Sequence, residues 1–158
     1  MADFKYIELS DGSLTKVDNS DYEYLNRWKW NNVGGYAVRQ VYPSGLKGSA
    51  YRVLMHRVVT ACPDKLLVDH INHDTLDNTS ENLRFATKSQ NQWNRLIAKN
   101  NTSGYTGINW DKVNKKWRVA VKANYKYKNI GRFEKLEDAV AARDKALREL
   151  HGDFARVS

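Results

Sequence analysis

Apolar residues in this 158-residue chain occur only in short runs, of which Leu66-Leu67-Val68 is representative. No run approaches the ~20 apolar residues that a membrane-crossing helix requires. The sequence can build one ordinary domain or two small ones. A small domain buries proportionally less of its surface, so each half has little stability to spare. Hydrophobic residues make up 41% and charged residues 28%, the balance of a globular protein. Cys62 is the single cysteine, which excludes an intramolecular disulfide and a cysteine-rich zinc site. The first residues, Met1-Ala2-Asp3-Phe4-Lys5, hold no apolar core of signal-peptide length, so the cytoplasm is the expected compartment.

The net charge of +8 is unevenly distributed. Residues 1–98 carry 12 Lys/Arg against 11 Asp/Glu, a net of +1, whereas residues 99–158 carry 14 against 7, a net of +7. Nearly all the excess lies in the last third, which points to a polyanion-binding module there. Where the balance changes, Lys99-Asn100-Asn101-Thr102-Ser103-Gly104 reads as a linker. The expected organisation is a first domain over 1–98, a linker over 99–104 and a second domain over 105–158.

The N-terminal segment reads as strands and turns. Phe4, Tyr6, Ile7 and Leu9 precede Asp11-Gly12, a hairpin signal. Tyr22, Leu25 and Trp28 recur at helical spacing over Tyr22–Trp30, behind the caps offered by Asp18-Asn19-Ser20-Asp21. Gly34-Gly35 leads into a strand at Tyr36–Arg39, Pro43-Ser44-Gly45 is a turn, and Tyr51–Thr60 is a strand that turns helical after His56. This segment carries no obvious chemistry and is expected to pack around the residues from Leu66 onward.

Next, Leu66-Leu67-Val68 ends abruptly in Asp69-His70-Ile71-Asn72-His73-Asp74. A polar loop and a short strand run to Thr87, and Thr87–Arg95 reads as a helix with Thr87 or Ser89 as N-cap. The order is strand, loop, strand, helix. With Asp69-His70-Ile71, Asn78-Thr79-Ser80-Glu81-Asn82-Leu83 and Gln90-Asn91-Gln92-Trp93-Asn94, residues 54–95 resemble the HNH nuclease family and its ββα-metal fold, with the core at about 66–95. That resemblance implies hydrolysis of phosphodiester bonds in duplex DNA. Asp69 and Asn91 would hold a divalent metal, His70 would activate water, and Asn82 would brace the loop that aims the imidazole.

The chemistry is consistent with those roles. A neutral imidazole suits a general base near neutral pH. Carboxylate and amide oxygens are hard ligands that suit Mg²⁺ or Mn²⁺. A zinc site built from His56, His70 and His73 is the rival metal reading, disfavoured because the Asp and Asn oxygens prefer a harder cation. Arg84 and Arg95 are candidate phosphate contacts on charge alone. His56-Arg57 matches a His-Arg pair common just upstream in the HNH subgroup; His56 is expected to be structural or phosphate-contacting rather than catalytic, and Arg57 is a candidate phosphate contact. His73 stands where the subgroup usually has a small residue; an exposed side chain is the favoured expectation, and an extra metal or phosphate contact the alternative.

In the last third, Tyr105–Trp110, Lys116–Lys122 and Lys128–Phe133 read as three short strands. Trp117, Val119 and Val121 alternate with Lys116, Arg118, Ala120 and Lys122, giving one apolar and one mostly cationic face. Leu136, Ala139, Val140, Leu147 and Leu150 form a helical stripe within Lys135–Leu150, with Gly152 just beyond. Tyr105-x-Gly107-Ile108, Lys116-Trp117-x-x-x-Val121-Lys122, Ile130-Gly131-x-Phe133 and Glu137-Asp138-Ala139 in the helix resemble the AP2 (ERF-type) DNA-binding domain. The resemblance implies a three-stranded antiparallel sheet packed on one helix. The free face of that sheet would enter the major groove, as a β-ribbon can. By position, Thr106, Asn109, Lys116, Lys122, Tyr127, Asn129 and Arg132 would face DNA; Arg118 joins them by alternation. Arg143 stands where AP2 domains often have a Tyr that touches the backbone, and is expected to reach a phosphate. Thr106, Asn109, Asn114, Ala120 and Asn129 occupy positions where plant AP2 domains favour Arg and Trp, so the plant target sequence does not transfer.

The sequence is thus expected to form an α+β protein of two small domains, a metal-dependent HNH nuclease and an AP2-like DNA binder. That make-up resembles phage-borne or mobile homing endonucleases, which would act in the host cytoplasm. Two rivals stand beside this reading: a DNA-binding protein with an inactive HNH centre, and an RNA-processing nuclease. Intact Asp69, His70, Asn82 and Asn91 disfavour the first, and the AP2-like module disfavours the second.

Overall fold

The computed structural model describes residues 3–43, 50–93, 101–123, 126–155 and 157. Ser44 and Gly45 of the expected turn, residues 94–100 with Asn94 and Arg95, and Asn124 and Tyr125 between the second and third expected strands of the last third lie outside the described residues. The fold is mixed α and β, with small sheets and few helices. Two compact units are present, Met1–Ala86 and Thr87–Ser158.

In the first unit, β1 (Phe4–Glu8) and β2 (Leu14–Asp18) form the expected antiparallel hairpin, with Phe4 opposite Asp18 and Glu8 opposite Leu14. Alternation along β2 buries Thr15 and Val17 and leaves Leu14 exposed. Helix α1 (Asn19–Leu25) is shorter than the sequence spacing predicts. Trp30 explains why: its buried indole Nε1 donates to the Leu25 carbonyl at 2.9 Å, taking an acceptor that a further helical turn would have used. Gly34-Gly35, both at positive φ, turn β3 (Asn31–Val33) into β4 (Tyr36–Val41). Strand β5 (Tyr51–Leu54) completes this sheet and runs straight into α2 (Met55–Thr60). Ile7, Leu9, Val17, Leu25, Trp30, Ala37 and Met55 form one buried core.

Strands β6 (Leu67–His70) and β8 (Leu83–Ala86) pair antiparallel, with Asp69 opposite Arg84 and His70 opposite Leu83. The segment between them does not stay a loop. Asp77–Asn78 forms a two-residue strand, β7, that pairs in parallel with β2, Lys16 facing Asp77 and Val17 facing Asn78. A single 3₁₀ turn, Ser80–Asn82, returns the chain to β8.

The second unit opens with α3 (Lys88–Trp93). Thr87 is its cap: Gln90 N–H donates to Thr87 Oγ1 at 3.3 Å while Thr87 N–H donates to Gln90 Oε1 at 2.8 Å. Trp93 stacks on His151 with ring centroids 4.0 Å apart and planes 3° from parallel. The sequence pattern places this helix with the first domain; in the structure it packs within the second unit. Strands β9 (Ile108–Asp111), β10 (Lys116–Ala123) and β11 (Lys126–Phe133) form an antiparallel sheet in the order β11-β10-β9. Helix α4 (Leu136–His151) covers one face through Ala139, Ala146 and Leu147 against Ile108, Val119 and Val121. Gly107 sits at φ +84, and a Cβ there would lie 2.6 Å from the Ala120 carbonyl oxygen, so only glycine fits.

Candidate active site

Asp69 and His70 are the last two residues of β6, and both are buried. Strand register sets Asp69 against Arg84, whose Nε and Nη2 each lie 2.8 Å from Asp69 Oδ2. Arg84 was a candidate phosphate contact; the structure uses it to neutralise Asp69.

His70 Nε2 lies 3.4 Å from Asn78 Oδ1. Asn78 is 1% exposed, and its Nδ2 donates to Thr15 Oγ1 at 2.8 Å. The Thr15 hydroxyl donates in turn to the Leu76 carbonyl at 2.7 Å. Asn78 belongs to the sequence motif, but sequence reasoning gave it no role and treated the N-terminal segment as packing. The period-two pattern of β2 puts a polar Thr15 on the same buried face as Val17, which signals that Thr15 has a hydrogen-bond partner without saying which.

Asn82 is buried and closes the loop at both ends. Its Oδ1 accepts from Asn72 N–H at 2.9 Å, its Nδ2 donates to the Asp77 carbonyl at 2.7 Å, and its own carbonyl accepts from Ile71 N–H at 2.9 Å. Asp77 is a second knot: Asn72 Nδ2, the Thr79 hydroxyl and Thr79 N–H all donate to its carboxylate, and Lys16 Nζ is 3.6 Å away. Burial would raise the Asp77 pKa, but Thr79, Lys16 and Asn72 together hold it below the ordinary carboxylate value. His73 adopts φ +67 in the turn after β6, its N–H bonded to the His70 carbonyl at 3.1 Å. It is half-buried rather than exposed. Histidine is among the residues that tolerate the left-handed region best, which accounts for a bulky side chain at that position.

His56, at the start of α2, is buried with its ring 5.2 Å from that of His70 and 5.6 Å from Tyr36. Burial, then the neighbouring His70 and Arg57, push its pKa down to about 4. A buried His56 packed on His70 and Tyr36 accords with the structural role among those expected of it. The phosphate contact expected of Arg57 is corrected: Nη1 donates to the Leu66 carbonyl at 3.1 Å and Nη2 to Cys62 and Pro63 carbonyls at 3.0 and 3.2 Å, tying α2 to the loop before β6. For His70, burial lowers the pKa, partly offset by the Asn78 hydrogen bond and by the carboxylates of Asp69, Asp74 and Asp77. Burial thus favours the neutral imidazole, the form a general base needs.

Asn91 lies on α3, in the second unit. Among the described residues, no three His, Cys, Asp or Glu side chains gather as a metal-binding group. His56, His70 and His73 are therefore not brought together as a zinc cage.

On the second unit, Trp117, Val119 and Val121 face α4, as the alternation requires. The opposite face exposes Asn109, Arg118, Lys122, Asn129, Arg132 and a 75% exposed Tyr127. Lys122 Nζ sits 5.7 Å from the Tyr127 ring centroid. The face is less uniformly cationic than the sequence implies. Arg132 Nε donates to Asp111 Oδ2 at 2.9 Å, and Lys116 Nζ pairs with Glu134 at 3.3 Å. Hydrogen bonds, chiefly from Asn114 and then Arg132, hold Asp111 well below the usual carboxylate range. Arg143 is corrected outright: it is 2% exposed, pairs with Asp144, and donates from Nε to the Thr106 carbonyl at 3.0 Å and from Nη2 to Thr106 Oγ1 at 3.3 Å. It fastens α4 to the loop before β9 and cannot reach a phosphate. Thr106 itself stays exposed.

The HNH endonuclease family model matches residues 52–93, from β5 to the end of α3. Protein 3.8 of Escherichia phage T7 is 40% identical over 94 residues, which span 60% of this chain and 77% of that protein. The chain carries an HNH endonuclease family domain. An uncharacterized HNH endonuclease, L560, of Acanthamoeba polyphaga mimivirus is 28% identical over 154 residues, 96% of this chain and 78% of its own length. No solved structure matches the chain. In this HNH chain the Asp69-His70 pair and Asn78 fall inside the matched segment, whereas Thr15 lies well before it.

Proposed function

We propose that the chain is a metal-dependent endonuclease that hydrolyses phosphodiester bonds in duplex DNA, with Asp69 and His70 at its centre. The observation that carries this reading is a buried His70 held by Asn78, next in the chain to a buried Asp69. His70 accepts the proton of the attacking water. Asn78 holds the ring in place, and Asn82 fixes the loop that carries both. Asp69 brings a carboxylate and Asn91, by the motif, an amide oxygen. That donor set fits a hard cation with few protein ligands, Mg²⁺ or Mn²⁺, which keeps water and phosphate in the rest of its shell. Such a cation supplies charge stabilisation at the leaving oxygen. The metal role of Asn91 rests on the sequence motif alone.

The second unit, in this reading, binds the duplex through the face of its sheet opposite α4, in the manner of the AP2 domain its motifs resemble. Arg118, Lys122, Tyr127, Asn129 and Asn109 line that face, while Thr106, in the loop before β9 and bonded to Arg143, joins them by the motif alone. Lys116 and Arg132 join them, since exposed ion pairs are worth only about 0–1 kcal/mol and yield readily to phosphate. A nuclease joined to its own DNA-binding unit suits a homing-type enzyme that cuts at chosen sites. Incubation with genomic DNA of its source, with and without Mg²⁺, followed by sequencing of the ends, tests the whole reading: discrete metal-dependent ends support it, and intact DNA overturns it.

The rival that specifically gains from the structure is a DNA-binding protein with a silent centre, because Asp69 is already paired with Arg84. Binding of duplex DNA without metal-dependent cleavage would favour it.

A further inference from the structure

We propose that Thr15, on the N-terminal sheet, is a positioning residue that sets the tautomer of His70. The inference rests on the assignment of His70 as the base. Its logic is a chain of hydrogen bonds whose direction is forced at one end. The Thr15 Oγ1 and the Leu76 carbonyl oxygen are 2.7 Å apart. Two oxygens at that distance need a proton between them, and a carbonyl has none to give, so the hydroxyl donates. The Met55 sulfur, 3.8 Å from the same hydroxyl, is a weak acceptor that does not compete.

With its proton committed, Thr15 Oγ1 can only accept from Asn78, 2.8 Å away. The amide must therefore turn its NH₂ toward Thr15 and its Oδ1 toward His70. An amide oxygen accepts, so His70 Nε2, 3.4 Å away, carries the hydrogen. In a neutral imidazole the acceptor lone pair then sits on Nδ1. The pairing of β7 with β2, which sets Val17 opposite Asn78, is what brings Thr15 within reach across 63 positions of sequence. The N-terminal hairpin is thus part of the catalytic apparatus.

The test is the ¹⁵N spectrum of the imidazoles in the full-length, metal-free chain above about pH 7, where the ring is neutral. It is read beside Mg²⁺-dependent cleavage of a plasmid. Wild type should show His70 protonated on Nε2. Thr15→Val can neither donate nor accept, so the amide is released, the Nε2–H form loses its dominance and kcat falls about 10–100-fold with KM little changed, the usual cost of losing a support behind a functional imidazole. Thr15→Ser keeps the hydroxyl and should recover both the tautomer and most of the rate. Thr15→Ala serves as the second disruptive variant should Val not give a folded chain. An Nδ1–H His70 in wild type, or an unchanged tautomer in folded Thr15→Val or Thr15→Ala, overturns the proposal. A wild type that shows the Nε2–H form yet cuts no DNA leaves the relay standing and rejects the nuclease reading instead.

Discussion

Arg84 reaches across the β6–β8 pair to place both Nε and Nη2 at 2.8 Å from a single oxygen of Asp69. Both side chains are largely removed from water, at 19% and 6% exposure. Removing one partner of such a pair strands a buried charge, at a cost of about 3–5 kcal/mol. Arg84→Ala should therefore lower the stability of the first unit by an amount of that order in denaturant unfolding. The double variant Asp69→Asn/Arg84→Ala should lose less than the two single variants added together. Strict additivity would show that the pair is not coupled.

His56 supplies a pH dependence of stability. Its folded pKa is about 4, against an ordinary value near 6.5. Between those two values the unfolded chain binds more protons than the folded one, so stability rises with pH across that window and is lost as pH falls through it. His70, also lowered by burial, acts in the same direction. Thermal melts from pH 4 to 7 should show a Tm that climbs with pH. His56→Phe, which keeps an aromatic ring against Tyr36, should flatten part of that climb. A slope unchanged by His56→Phe would assign the acid sensitivity elsewhere.

Much of this architecture could be read in the sequence. Period two placed Trp117, Val119 and Val121 inside, and the Asp11-Gly12 and Gly34-Gly35 turns lie between strands. What escaped was tertiary. A two-residue strand such as β7 is too short to have a period, and its partner β2 is about sixty positions away, so neither Asn78 nor Thr15 could be assigned to His70. Arg57 and Arg143 were misread because a basic side chain on paper gives no sign that backbone carbonyls surround it. Arg143 did carry a clue. It lies four residues after Ala139 and four before Leu147, both buried, and so sits on the inner stripe of α4.

That position yields a prediction of its own. Arg143→Ala removes the guanidinium that pairs with the buried Asp144 and the donor to the Thr106 carbonyl, at a cost of about 1–3 kcal/mol. The variant should unfold the second unit more readily, and any loss of DNA affinity should track that unfolding. A fully stable Arg143→Ala that binds DNA poorly would restore the phosphate contact.

The exposed face of the β9–β11 sheet should carry the salt dependence of binding. Changing Lys116, Arg118 and Lys122 together to Ala should flatten the log–log dependence of affinity on salt by up to about three units, since each neutralised phosphate releases close to one counterion. The value should fall short of three if Lys116 stays with Glu134 in the complex. Trp117→Ala should unfold the unit, because Trp117 packs toward α4. A triple variant that binds like wild type would move the DNA to another surface.

The central claim is that His70 is the base of a metal-dependent nuclease, and one assay addresses it directly. Wild type and His70→Ala are incubated with duplex DNA in Mg²⁺ or Mn²⁺, in EDTA, and in EDTA followed by excess Mg²⁺, with binding measured in parallel. Wild type should cut, stop in EDTA and resume when the metal returns. His70→Ala should bind nearly as well and cut about 10²–10⁴-fold more slowly, the usual cost of losing a general base. Cleavage by His70→Ala within about threefold of wild type, far inside that range, would contradict the assignment.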